Sequence, residues 1–233
     1  MKLKTTPVFK RNPQHDIADA NRLHSLLIGL IAGENEQFYA DSLTTGAGHD
    51  TLSILLASAT KIKDSSGIRA TFDFLKEEGE RCAYDLMIPF FLSEKDEEMR
   101  VANIRNHFTS IERLADYSKN LNDFLEYTHF HRRIRITHKD LQRGILAWDL
   151  GRLVTLARIA GDYHLIDEKE AWDYIEFAGK ECHRHFTCWK EVGKSYLLGY
   201  ILHHTGEEEY EKIIRLYRLA TESKASPWLE ISY

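Results

Sequence analysis

Cysteine, proline and one-signed charge are all scarce in this chain. Three cysteines in 233 residues are an odd and small number, which excludes a disulfide framework and points to reduced thiols in a cytoplasmic protein. The four prolines stand at positions 7, 13, 89 and 227, so long tracts run without a breaker, as helices require. No apolar run reaches the ~20 residues that a bilayer crossing needs. The basic start, Met1-Lys-Leu-Lys, has no apolar run behind it as a signal peptide would have, and no lipidation motif is present. Membrane association is therefore not expected. Acidic residues outnumber basic ones 36 to 31, for a net charge of -5; a general nucleic-acid binder is usually basic, so no nucleic acid is expected as a partner. Phosphate loops, His-Glu-x-x-His and Gly-x-Ser-x-Gly are missing too, as is any solenoid period.

What is present is a core. Hydrophobic residues make up 43% of the chain, and one stretch stands out, Gly144 to Ala160. Its apolar residues fall at every phase of a helical turn, which marks a helix buried all round. Leu23, Leu26, Leu27, Leu30 and Ile31 are at helical spacing; so are Ile68, Phe72 and Leu75, then Trp172, Ile175 and Ala178, then Ile213, Leu216 and Tyr217. The spacing predicts an all-α, compact multi-helix domain around that central helix. Residues 1–15 read as an extended leader and 16–233 as one helical domain, with a softer seam at 128–137, where Arg133-Ile-Arg-Ile alternates as a loop or strand does. Asp16 is the expected start of the first helix. Ile88 is expected to leave helical geometry before Pro89. Ser93-Glu-Lys-Asp is read as a cap for a helix starting near Glu94 and running, with a joint near Thr109, to about Tyr127. Thr137 is read as the cap of the central helix, Thr187 as that of a later one, and Asp167-Glu-Lys-Glu170 as a capping box.

Several residues of the C-terminal third occur in a familiar order. Ala147-Trp-Asp-Leu-Gly-Arg152 leads to Arg158, then Glu170-Ala-Trp172, Phe186, Trp189, Ser195-Tyr-Leu-Leu-Gly199 and Ser226-Pro-Trp228. This order resembles the YbeU/YbeR-type bacterial family of domains of unknown function, family 1266. Further matches lie at Leu26-Leu-Ile-Gly29, Gly67-Ile68, Phe74-Leu75 and Gly79. Where that family often has Gly-His-Arg, this chain has Gly79-Glu80-Arg81, and Ser66 stands where it tends to have Trp. The resemblance implies a helical fold and a soluble bacterial protein, and supplies no reaction.

Four groups carry the chemistry. On the central helix, Asp149, Arg152 and Arg158 are charges that burial makes costly unless answered. Asp149 and Arg152, three apart, share a face and are expected to bond each other or a neighbouring helix, Glu170 or Glu176 being candidates. Such a pair can orient a substrate or simply brace the fold, and the bracing role is preferred. Cys182, His185 and Cys188 are metal-ligand types at spacings unlike those of structural zinc sites, so no metal or other cofactor is expected. His129, His131, Arg132, Arg133, Arg135, His138, Lys139 and Arg143 form a basic cluster, read as solvated or as partner to acidic runs. Trp148, Trp172, Trp189 and Trp228 are read as core anchors.

These readings favour a non-enzymatic protein–protein interaction module, for example a cognate inhibitor or immunity-type protein. Its acidic runs at 77–80, 96–98 and 207–209 would face a basic partner. The alternative is an enzyme or small-ligand binder using Asp149 and Arg152. An open cleft at that pair would favour the alternative; a sealed pair would favour the module.

Overall fold

The computed structural model describes residues 8–14, 17, 19–60, 64–108 and 112–233. All regular structure among them is helical, with no strand. In chain order α1 is Ala20–Leu26, a 3-10 turn spans Leu27–Gly29, α2 is Leu30–Asn35, α3 His49–Thr60, α4 Ser65–Glu77 and α5 Arg81–Ser93. Then come α6 Glu97–His107, α7 Arg113–His131, α8 His138–Arg143 and α9 Leu146–Asp162. The series closes with α10 Glu168–His185, α11 Trp189–His203, α12 Glu207–Glu222 and α13 Pro227–Glu230. Among the described residues no helix is long and apolar enough to cross a membrane.

Short polar side chains begin many of these helices by accepting from their first free N–H groups, as orphaned donors at a helix start require. Asp19, Asp64, Asp96, Asp167 and Ser226 serve α1, α4, α6, α10 and α13. α9 is the hub. It packs against α2, α3, α4, α10, α11 and the 3-10 turn, and its Ala147, Leu153, Val154, Ala157 and Ala160 are fully buried. Ile68, Phe72 and Leu75 of α4 turn one stripe inward, all fully buried.

Local details depart from the expectations at identifiable places. The Leu23–Ile31 segment is not one helix, because it tightens into the 3-10 turn where it crosses α9. There a Cβ on Gly29 would stand 2.8 Å from Val154 Cγ1. Pro89 lies inside α5: Tyr84, Met87 and Ile88 are buried on its inner face, and that packing outweighs a proline cost of ~3 kcal/mol. The α6 cap is Asp96, not Ser93. α7 continues to His131 and ends at Arg132, which has left-handed φ of 51°. Thr137 forms a capping box with Asp140, but for the short α8; Gly144, at φ 79°, then separates α8 from α9. Cys188, not Thr187, precedes α11, although the Thr187 N–H and hydroxyl both donate to Glu191. The expected start at Asp16, the joint at Thr109 and most of the leader fall outside the described residues.

Candidate functional site

Asp149 is fully buried, and its partner is not Arg152. Its carboxylate reaches across to the α4–α5 junction, where α5 starts without a side-chain cap of its own. The backbone N–H of Glu80 donates to Oδ1 at 2.9 Å, and that of Arg81 to Oδ2 at 3.1 Å. The Arg81 guanidinium donates to Oδ2 at 3.1 Å as well. Asp149 is thus the N-cap of α5, supplied by α9, and the helix dipole favours an anion there. Arg81 also donates to the Leu75 and Lys76 carbonyls at 2.8 and 2.7 Å, closing the last turn of α4. Gly79 makes the junction possible, with φ 63° and no Cβ where one would meet Asp149 Oδ2 at 2.1 Å. Burial pushes the Asp149 carboxyl above its ordinary value, and these donors pull it back.

Arg158 is buried too. Its guanidinium donates to the carbonyls of Tyr39 (2.6 Å), Leu43 (3.2 Å) and Thr44 (3.1 Å). Burial lowers it to about 10, so it stays charged at neutral pH. One turn on, Asp162 accepts from the Thr45 N–H and hydroxyl at 2.7 and 2.6 Å. Asp149 and Arg158 therefore pin loops against α9. Glu170 and Glu176, the other carboxylates considered for Arg152, pair instead with Arg69 at 2.6 Å and Arg22 at 2.9 Å.

Arg152 is left half-buried with no ion pair among the described residues. Its guanidinium lies over the Trp148 ring, 5.4 Å from the centroid, in the wall of a cleft of about 480 Å³ between α2, α3, α9 and α11. Leu55, Leu156 and Ile159 give the cleft apolar walls, and Tyr196 lines it beside Trp148. Small residues let the two rings meet: a Cβ on Gly199 would sit 2.2 Å from Trp148 Cβ, and one on Gly151 would sit 2.9 Å from the Tyr196 ring. The Trp148 indole N–H is buried without an acceptor among the described residues.

Polar groups meet at one rim. Tyr117 donates to Glu80 at 2.7 Å and lies 3.1 Å from His203 Nε2. The single phenolic proton is used on Glu80, so His203 Nε2–H is the donor to Tyr117 and Nδ1 holds the lone pair. His203 stacks on Trp148 at 5.7 Å; desolvation lowers its pKa below the ordinary value, against the pull of Glu80. The rim holds a neutral imidazole and a carboxylate joined through a phenol, an arrangement that can exchange protons with a bound molecule. A larger groove of about 760 Å³ runs along α12, but its Arg133 and Arg218 are already paired, with Glu211 at 3.4 Å and Glu222 at 3.1 Å.

The family described as a protein of unknown function, DUF1266, matches residues 56–233. The chain belongs to the DUF1266 family. No curated protein and no solved structure matches it. In this DUF1266 protein the motif residues of the C-terminal third converge on the cleft and its supports. Trp148 and Arg152 line the cleft, Asp149 holds the junction that presents Glu80, and Tyr196 and Gly199 form the opposing helix face. Ser195 accepts from the Ala147 N–H at 3.1 Å and so caps α9. Trp228 stacks on Trp189 with centroids 4.9 Å apart and donates to the Leu27 carbonyl at 2.8 Å.

The remaining candidates do not assemble. Cys182 is buried beside the Tyr233 hydroxyl, which is 3.5 Å from its sulfur; burial pushes its thiol up to about 12. His185 is exposed and its Nδ1 is bonded to the Glu181 carbonyl, while Cys188 is half-buried. Among the described residues no three metal-ligating side chains are grouped to hold an ion. Sequence reasoning missed Glu80, Tyr117 and His203. The signal available for Glu80 was its place between Gly79 and Arg81, and for His203 its place one turn beyond Gly199 on α11; Tyr117 lies on a helix with no motif around it.

Proposed function

We propose that the cleft between α9 and α11 is a binding site for a small, flat molecule carrying one anionic group, a carboxylate or a phosphate. Arg152 carries the reading. Its half-buried guanidinium makes no ion pair with any described residue, although Glu36 and Glu80 line the same cleft, and a charge so placed is a candidate for holding an anion. Its planar fork suits a carboxylate or phosphate, while the Trp148 and Tyr196 rings suit a flat apolar body. The reading keeps Arg152 from the expected Asp149/Arg152 site and assigns Asp149 to architecture. Glu80 and His203, which line the cleft beside Arg152, would receive polar atoms of the same ligand. A cytoplasmic setting belongs to the same reading, supported by three cysteines that are all free.

Thermal melts and indole N–H resonances in the presence of benzoate or phenyl phosphate test this, with benzamidine and benzyl alcohol as cationic and neutral matches. The anions should raise the melting temperature and shift the Trp148 resonance, and Arg152→Ala should abolish both effects. At a hundredfold excess over Kd, stabilisation should be about 2.7 kcal/mol. An equal response to benzamidine, a response that survives Arg152→Ala, or no response to either anion would remove the reading.

A further inference from the structure

A second surface, remote from Arg152 in the chain, carries charge of the sign opposite to that of the molecule. The 132–137 loop, α8, α11 and α12 enclose an open groove of about 530 Å³. Seven basic and three acidic side chains line it, in a chain of net charge -5. The acids are already engaged. Asp140 is buried and takes Arg143 at 3.0 Å and Lys194 at 2.8 Å; Glu191 also takes Arg143, and Glu222 takes Arg218 at 3.1 Å. Arg135, Lys139 and Lys190 are exposed and make no ion pair with any described residue.

Helix electrostatics do not account for these cations. Lys139 and Lys190 sit in the first turns of α8 and α11, where the helix dipole disfavours positive charge. Two of the three acidic runs, by contrast, are explained by the fold, whereas Glu77 and Glu78 are exposed at the end of α4. Glu97 and Glu98 lie in the first turn of α6, and Glu207, Glu208 and Glu209 in that of α12, where the dipole stabilises them; Glu209 also accepts from the Tyr200 hydroxyl. The positive groove is therefore surface charge that the helix dipoles do not explain. Phe130, which shortly precedes its loop, is 82% exposed, an aromatic of the kind that anchors protein interfaces. The positive charge is local in a chain of net charge -5, which suits a short anionic segment better than a long polyanion.

We propose that this groove docks a short acidic segment of another protein, with its carboxylates against Arg135, Lys139 and Lys190. The proposal is independent of the cleft. Fluorescence anisotropy with a short fluorescein-labelled peptide, rich in glutamate with one phenylalanine, tests it. Saturable binding that weakens steeply with salt is expected. The triple reversal Arg135→Glu, Lys139→Glu, Lys190→Glu should weaken it by about tenfold or more, while Lys169→Glu on α10 and Arg152→Ala should leave it unchanged. Circular dichroism melts establish that each variant folds, and the single reversals, each with a smaller loss, serve if the triple variant does not. Absence of saturable binding would overturn the proposal, as would equal binding of the glutamine version of the peptide or equal loss with Lys169→Glu. Tighter binding of a thymidine oligonucleotide of the same charge would overturn it in favour of a nucleic-acid groove.

Discussion

Asp149→Ala takes away the acceptor of three hydrogen bonds at one stroke. Two come from backbone N–H groups that open α5, and the third from a guanidinium that also closes α4. The carboxylate is fully buried, so water does not replace it without opening the junction. Each stranded backbone donor costs ~1–3 kcal/mol, and breaking a buried ion pair costs ~3–5 kcal/mol in all. These overlap, because losing the pair includes stranding its donors, so the expected loss is ~3–5 kcal/mol rather than the sum. For a chain of this size about 1 kcal/mol moves the melting temperature by ~2–4 °C, so the variant should melt ~6–20 °C lower. Arg152→Ala, three residues along the same helix, is the control. Its side chain makes no ion pair, and the expected cost is that of lost contact with Trp148, ~1 kcal/mol or less. Calorimetric melts at neutral pH compare the two directly. If Asp149→Ala melts within about 2 °C of the parent while Arg152→Ala falls further, the architectural role of Asp149 is wrong.

Three further outcomes are expected. Gly79→Ala places a Cβ at φ 63° and 2.1 Å from Asp149 Oδ2; left-handed strain of ~1–2 kcal/mol plus displacement of the junction should exceed ~2 kcal/mol in urea unfolding, and a neutral result would show that the junction yields freely. Asp167→Ala removes the acceptor of the Glu170 N–H at 2.8 Å and should cost ~0.5–2 kcal/mol by denaturant melts; unchanged melts would count against the cap. His24 is 6% exposed, both its ring nitrogens lack hydrogen-bond partners among the described residues, and burial, with the neighbouring His183, lowers it to about 4. Because the unfolded chain binds that proton more readily, its contribution is intact above pH 6.5 and is lost as pH falls toward 4, by ~3 kcal/mol at about 1.4 kcal/mol per pH unit. Stability measured across that range for His24→Phe should show a correspondingly flatter slope, and an identical slope would assign the acid sensitivity elsewhere.

The helical class and the hub helix were legible because both rest on local periodicity: Ile68, Phe72 and Leu75 repeat at helical spacing and are all buried. Partners across the core were not legible. Asp149 and Arg152 share a helix face, yet nothing in their spacing says that the start of α5, almost seventy positions earlier, arrives at one and leaves the other facing a cleft. Pro89 misled for a related reason, since its local cost is outweighed by packing of Met87 and Ile88 that only the tertiary fold supplies. Thr137 was correctly a cap, but Gly144 decides which helix it serves. Among the motif residues, Trp148, Arg152 and Tyr196 reach the cleft. Glu80, Tyr117 and His203 gather at its rim from the α4–α5 junction, α7 and α11, a meeting that no local spacing announces.

The bond from Trp228 to the Leu27 carbonyl joins positions 201 apart. On the ribosome, Leu26, Leu27, Ile28, Leu30 and Ile31, all buried in the finished fold, emerge long before the residue that seals them. At about 5–20 residues per second that interval is roughly 10–40 s, far longer than the microseconds in which an exposed apolar segment collapses on whatever is near. Even α9 and α10, which cover most of this segment, follow it by more than a hundred positions, so a nascent chain exposes it long enough for a chaperone to matter.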